Sequence, residues 1–234
     1  MERFSTIKRR ADRNPQMISV QNWLENYICG TREDQKVVGN RCDNLDQPVT
    51  QLMFDNRNRW AHVCPYVSDS IDYDNCWIEE SELDGRDPAA IESLLLKLLE
   101  EFKRAPPAHD PTLAREPASL PVLLKTFVIF FPHIVREPRA GPLPLIDELY
   151  SRLLPQFVRH GLMFGEFYPR CPTVGIYNDQ WPKSFVSPYP AFVIRYMARH
   201  DHLFITPDSA IWDAYTTYFP RRAETISVED RTQW

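Results

Sequence analysis

Apolar residues recur at Ile91, Leu94, Leu95, Leu98, Leu99 and Phe102, the three-and-four spacing that lines one face of a helix. Asp87 and Pro88 stand at its start, an N-cap followed by the proline that suits a first turn. A second helix is predicted over about 145–160, with Ile146, Leu149, Leu153, Phe157 and Val158 inward and Gly161 as its stop. Pro155 lies inside that pattern and predicts a kink or a break. An earlier helix, capped by Ser19 and stopped by Gly30, puts Val20, Trp23, Leu24, Tyr27 and Ile28 on one side. A last one starts at Thr206 and Pro207 and carries Ile211, Ala214, Tyr215 and Tyr218 on one face.

Between the helical patterns lie short apolar runs. Residues 123–131, from Leu123 to Phe131, read as a central strand, and residues 74–79, 162–168 and 191–197 as three others. Residues 31–60 show no clear element, and residues 104–121 form a proline-rich connection. Helices alternating with apolar strands predict an α/β (α+β) fold, a mixed sheet of four or more strands covered by helices, with an N-terminal helical arm. Residues 1–17 are expected as a flexible arm and residues 18–234 as a single α/β domain.

Composition narrows the function classes. The chain carries a formal charge of −5 with no basic stripe, which argues against nucleic acid as a partner. No apolar run reaches the ~18 residues of a membrane span, and the basic N-terminus is followed by no apolar signal core. Five cysteines at irregular spacings do not form a disulfide framework, so a cytoplasmic location is expected. Twenty-one prolines against seven glycines predict long connections that are shaped rather than floppy. The connection over residues 169–190 holds Tyr177, Trp181 and Phe185, and its length and aromatic content suit a pocket wall or lid.

The candidate chemistry is sparse. Arg195 interrupts an apolar strand, where an unpaired charge costs several kcal/mol. One reading makes it a fork for a substrate carboxylate or a cofactor propionate; the other gives it an internal ion pair with Glu166 or a strand end reaching water. Cys64 precedes Pro65 and is either an axial ligand or nucleophile, or a buried inert thiol. His160 ends a helix, where a cationic imidazole suits the dipole, or faces a pocket as ligand or base. His200 and His202 would point the same way if strand geometry continued, which could seat a non-haem metal. Paired zinc spacings, a phosphate-binding glycine loop, a nucleophile elbow and a dinucleotide fingerprint are all absent.

Three blocks carry a resemblance: Val63 to Val67 around Cys64–Pro65, Gly161 to Phe167, and Ser187 to Met197 with Asp201 and Phe204, joined by Trp23 and Leu24. They resemble an uncharacterised bacterial family, classed as a domain of unknown function, associated with natural-product gene clusters. That family has a histidine where this chain has Tyr168. The chain is also similar to the haem-dependent arginine N-hydroxylase of D-cycloserine biosynthesis and its relatives, with Cys64 and Arg195 in matching blocks. This likeness implies a haem-dependent oxygenase acting on an amino acid or a similar carboxylate-bearing small molecule. Cys64 or His160 would then ligate iron. Arg195, Glu166, Tyr168 and Trp181 would meet cofactor or substrate. The alternatives are a non-haem metal enzyme using His200 and His202, or a non-catalytic binding or scaffold protein. The aromatics Trp181 and Trp212 are candidates for a homodimer face.

Overall fold

The computed structural model describes residues 1–9, 14–28, 64–104, 124–134, 143–169, 171–172, 185–205 and 209–219. Strand β1 (Glu2–Arg3) runs directly into helix α1 (Phe4–Arg9), and α2 (Pro15–Trp23) continues as a π-helical turn over Leu24–Ile28. Then come α3 (Pro65–Asp72), β2 (Cys76–Glu80), α4 (Pro88–Arg104), β3 (Thr126–Phe130), α5 (Pro144–Arg159), β4 (Leu162–Phe167) and β5 (Ala191–Tyr196). A 3₁₀ helix (Arg199–Phe204) and α6 (Ala210–Tyr218) follow.

The five strands form one mixed sheet in the order β1-β2-β3-β5-β4. β2 and β3 are parallel, and a parallel pair needs a long crossover, which α4 supplies. β5 lies antiparallel between β3 and β4. Every residue of β3 is buried, as its unbroken apolar run predicts for a strand covered on both faces. One face packs on α4, α5 and α6 through Ile91, Leu95, Phe102, Leu149, Phe157, Phe164, Phe192 and Ile194. Phe157, Phe164 and Phe192 stack with centroids 4.3 and 4.7 Å apart. The other face is covered by Phe4, Val20, Trp23, Leu24, Tyr27 and Val67, which meet Val128, Phe130 and Val193.

Most predicted elements stand, with instructive shifts. Asp87 caps α4 by accepting from Ala90 N–H at 3.1 Å. Asn14, not Ser19, caps α2, accepting from Met17 N–H at 2.7 Å, while Ser19 Oγ bonds back to the Pro15 carbonyl. Pro155 does not break α5; its missing N–H releases only the carbonyl of Ser151, a residue on the exposed side. Ser209 caps α6 by accepting from Trp212 N–H, three residues after the expected start. The first nine residues, expected within a flexible arm, supply the sheet's edge strand and bury Phe4 and Ile7. The α-amino group pairs with Glu79 at 3.0 Å. α3 was not expected at all. Trp212 is buried at 7 % exposure and so offers no dimer face, and Trp181 lies outside the described residues. No helix among the described residues is long and apolar enough to cross a membrane.

Gly161 joins α5 to β4 at φ +73°, and an added Cβ would meet the Tyr218 ring at 2.9 Å. Tyr218 Oη donates to the Arg159 carbonyl, so α6 closes over this turn. Gly161→Ala should therefore lower stability by about 1–2 kcal/mol, from left-handed backbone and crowding together, read as a lower midpoint in urea unfolding.

Lys125, fully buried ahead of β3, donates from Nζ to the carbonyl of Phe102 in the last turn of α4. Its ammonium sits 4.3 Å from the Phe102 ring centroid, with Tyr196 and Phe127 at 5.7 and 5.8 Å. A cation suits both the helix C-terminus and the ring faces, but burial pushes the amine down to about 8. Above that pH the folded chain loses a proton that the unfolded chain keeps to about pH 10.4. Stability should rise between pH 8 and about 9.5, below the range where tyrosines titrate. Thermal unfolding of Lys125→Met should lack up to about 1.4 kcal/mol per pH unit of that rise.

Candidate functional site

Arg195 sits near the end of β5, opposite Thr126 on β3 and Met163 on β4. Side chains alternate along a strand, so it shares the face of Val193, away from α5. Its fork is taken by the chain's own Asp201: Nη1 donates to Oδ2 at 2.8 Å and Nη2 to Oδ1 at 2.6 Å. Nη1 also donates to the Tyr196 carbonyl at 2.9 Å. Asp201 Oδ2 accepts from Ala198 N–H as well, so the same carboxylate caps the 3₁₀ helix. Burial works against the charged guanidinium, but the Asp201 carboxylate overrides it and holds the group above its ordinary range. Tyr66 of α3 lies under the guanidinium, 4.9 Å from Cζ to the ring centroid. Cys64, the N-cap of α3 with no side-chain capping bond, is half-buried against this face and lies within the field of Arg195. Beside them, Thr126 is fully buried and its Oγ1 has no hydrogen-bond partner.

A second cluster lies on the opposite face. Glu166 of β4 pairs across to Phe192 and shares the side of Phe164, toward α5. Asp147, in the first turn of α5, hydrogen-bonds to Glu166 and accepts from Tyr168 Oη at 2.8 Å. Burial, then the Asp147 charge and hydrogen bond, push the Glu166 carboxyl up to about 8. Burial and Asp147 also hold Tyr168 above the ordinary phenol range. Burial raises Tyr150, with smaller contributions from Glu166, Asp201 and Cys171. Glu166 is 9 % exposed, and its Oε2 has no partner.

The structure thus sets Cys64 within the field of Arg195 and links Glu166 to Tyr168 through Asp147, with the two groups on opposite faces of the sheet. Arg195 does form an internal ion pair, but with Asp201, because Glu166 points to the other face. A substrate carboxylate would have to displace Asp201 to use the fork. His160 is the exposed C-cap of α5, on the side away from Cys64, so the two proposed iron ligands do not converge. His202 lies 6.1 Å from the Tyr215 ring, and the His200 side chain is outside the described residues. Positions 200 and 202 belong to the 3₁₀ helix rather than a strand, which sets them about 240° apart instead of on one face. No group of three or more metal-binding side chains occurs among the described residues. Sequence reasoning missed Asp147 and Asp201 as partners. The signal was there for Asp201, six positions after an arginine that needed an anion, but not for Asp147, whose place in a first turn looks like ordinary dipole compensation.

Removing one partner of a buried pair leaves an uncompensated charge, a cost of about 3–5 kcal/mol. Arg195→Met should be destabilised on that scale in chemical unfolding. Arg195→Met/Asp201→Leu should regain part of the loss, short of the cap to Ala198. Equal destabilisation of the single and double variants would show that charge pairing is not what the two side chains contribute.

No curated protein and no solved structure matches this chain. A family model does, over residues 54–230, a span running from before α3 to beyond α6 that takes in both clusters. The chain belongs to the family described as a domain of unknown function, DUF6875.

Proposed function

We propose that the chain is a small-molecule enzyme centred on Cys64, a haem-dependent oxidoreductase acting on an amino acid or a similar substrate in a biosynthetic pathway. One observation carries this reading: Cys64 and Arg195, the two residues that the resemblance to the arginine N-hydroxylase singles out, lie on one face of the sheet within each other's electrostatic reach. Their surroundings fit a bound group. Cys64 stands at the first turn of a helix without capping it, and the buried Thr126 Oγ1 beside Arg195 has a hydrogen bond left to make. Cys64 Sγ is the group that would hold haem, because His160 lies across the sheet. Haem would supply oxygen chemistry that no side chain here possesses.

Arg195 has a different part from a substrate fork. Held by Asp201 and Tyr196, its guanidinium is a fixed group whose field reaches Cys64, and the intact ion pair would present a thiolate ligand with an oriented dipole rather than a net charge. Tyr66 packs its ring against the guanidinium, 4.9 Å from Cζ to the centroid, and helps to hold it there. Haem binding would then rest on an arrangement already rigid before any ligand enters.

The test is an ultraviolet–visible spectrum of protein purified from haem-supplemented cells, repeated after dithionite and carbon monoxide. A Soret band with the red-shifted reduced carbon monoxide form of thiolate ligation is expected. It should be lost in Cys64→Ala and kept in His160→Ala. A flat visible spectrum in haem-replete protein would overturn the proposal and leave a binding or scaffold protein as the reading.

A further inference from the structure

We infer that Asp147 and Glu166 form a second binding site, on the face away from Cys64, for a small organic cation bearing N–H donors, a primary ammonium or a guanidinium. The inference goes beyond the Cys64 reading and stands apart from it.

Two carboxyl groups in hydrogen-bond contact share a proton, so the pair carries one negative charge near neutral pH. Glu166 meets Asp147 and lies in the field of Tyr150, both of α5; the groups acting on those partners are Tyr168 and Cys171, from the segment after β4, and Asp201. Across the sheet the neighbour of Glu166 is the apolar Phe192. None of these is a cation, and no ion pair among the described residues includes Asp147 or Glu166. Arg195 is committed to Asp201 on the other face. Within the described residues the proton they share is therefore the pair's only cationic partner, and a bound cation would take that proton's place.

Glu166 Oε2 marks where the answer would come. It is buried without a donor, although unmet buried acceptors are uncommon in folded proteins. Tyr168 Oη holds Asp147 Oδ1 in place at 2.8 Å, so the acceptors are positioned before anything binds. Tyr150 lies nearly parallel to Phe164, 6.1 Å between centroids, and adds aromatic surface of the kind that accompanies organic cations. Asp147 is only half-buried, which leaves an approach from solvent. A metal ion is a poorer match, since the cluster offers fewer than three metal-binding side chains.

Binding would exchange the shared proton for the cation: the carboxyl releases one proton to solvent, and the incoming N–H groups donate to the two carboxylates. The balance predicts a signature. With the Glu166 carboxyl at about 8, affinity should rise about tenfold per pH unit below 8 and level off above it.

The experiment is a thermal-shift titration of the full chain with methylammonium and methylguanidinium between pH 6 and 9. Magnesium and tetramethylammonium, which lacks N–H donors, serve as controls. Saturable stabilisation by an N–H cation that follows this pH course and is lost in Glu166→Gln and Asp147→Asn supports the site. Cys64→Ala should leave it unchanged, which separates it from the haem proposal. If Glu166→Gln fails to fold, Asp147→Asn alone decides. The inference is overturned by absence of saturable binding at high millimolar probe, by equal binding in the variants, or by equal response to tetramethylammonium or magnesium.

Discussion

The constraint on which the structure depends is that strands β3, β4 and β5 are covered on both faces, so a polar group placed there must find its partner inside the protein. β3 has no exposed residue, and β5 exposes little beyond Tyr196. Water is not available to satisfy a charge in such a sheet, and an unpaired one is costly. Each buried polar side chain on or beside these strands is therefore informative. Arg195 draws in Asp201, and with it the 3₁₀ helix that follows β5. Lys125 reaches the last turn of α4 and ties that helix to the start of β3. Glu166 meets Asp147 and joins β4 to α5. The same interactions that satisfy the charges fasten the elements around the sheet.

The fold was largely readable in the chain because its signals are local and repetitive. α4 and α5 show helical periodicity over several turns, and the core strands are apolar runs bounded by turn residues. The errors arose where tertiary contact outweighs local pattern. Glu2 and Arg3 are polar and look like part of a tail, yet they pair with β2 because its edge offers unpaired backbone groups. α3 is short and, although Pro65 suits a first turn, its N-cap is a cysteine that makes no capping bond, so only half of a start signal was present. Pro155 should have interrupted α5, but packing of Leu149, Leu153, Phe157 and Val158 on both sides of it holds the helix together.

The site was legible only in part, for a different reason. That Arg195 needs an anion follows from its place in an apolar strand. Which anion answers it depends on the face to which each strand directs its residues. Glu166 lies on the adjacent strand but at odd separation from Met163, the residue opposite Arg195, so the pleat sends it to the other side. A one-residue parity difference separated two side chains that the sequence made natural partners. His200 and His202 were misread the same way, since a strand period was extended into what became a 3₁₀ turn.

The two clusters differ in how completely they are satisfied, and that difference bears on function more than their composition does. The Arg195–Asp201 pair is closed: each Nη has a carboxylate oxygen, Asp201 has a backbone donor, and the charges cancel. Such a pair is a fixture, able to impose a field on Cys64 but not to bind and release. The Asp147–Glu166 pair is open: within the described residues its only cationic partner is the shared proton, and one buried acceptor has no donor. Evolution of a stable fold alone would favour replacing Glu166 by an apolar residue of similar size, since the burial of a carboxyl beside a second carboxyl is unfavourable above the pH at which both ionise. A closed pair needs no ligand to account for it. An open one retains chemistry that the folded chain does not use, and this is why the face of α5, where no motif drew notice, is the better place to look for a second ligand.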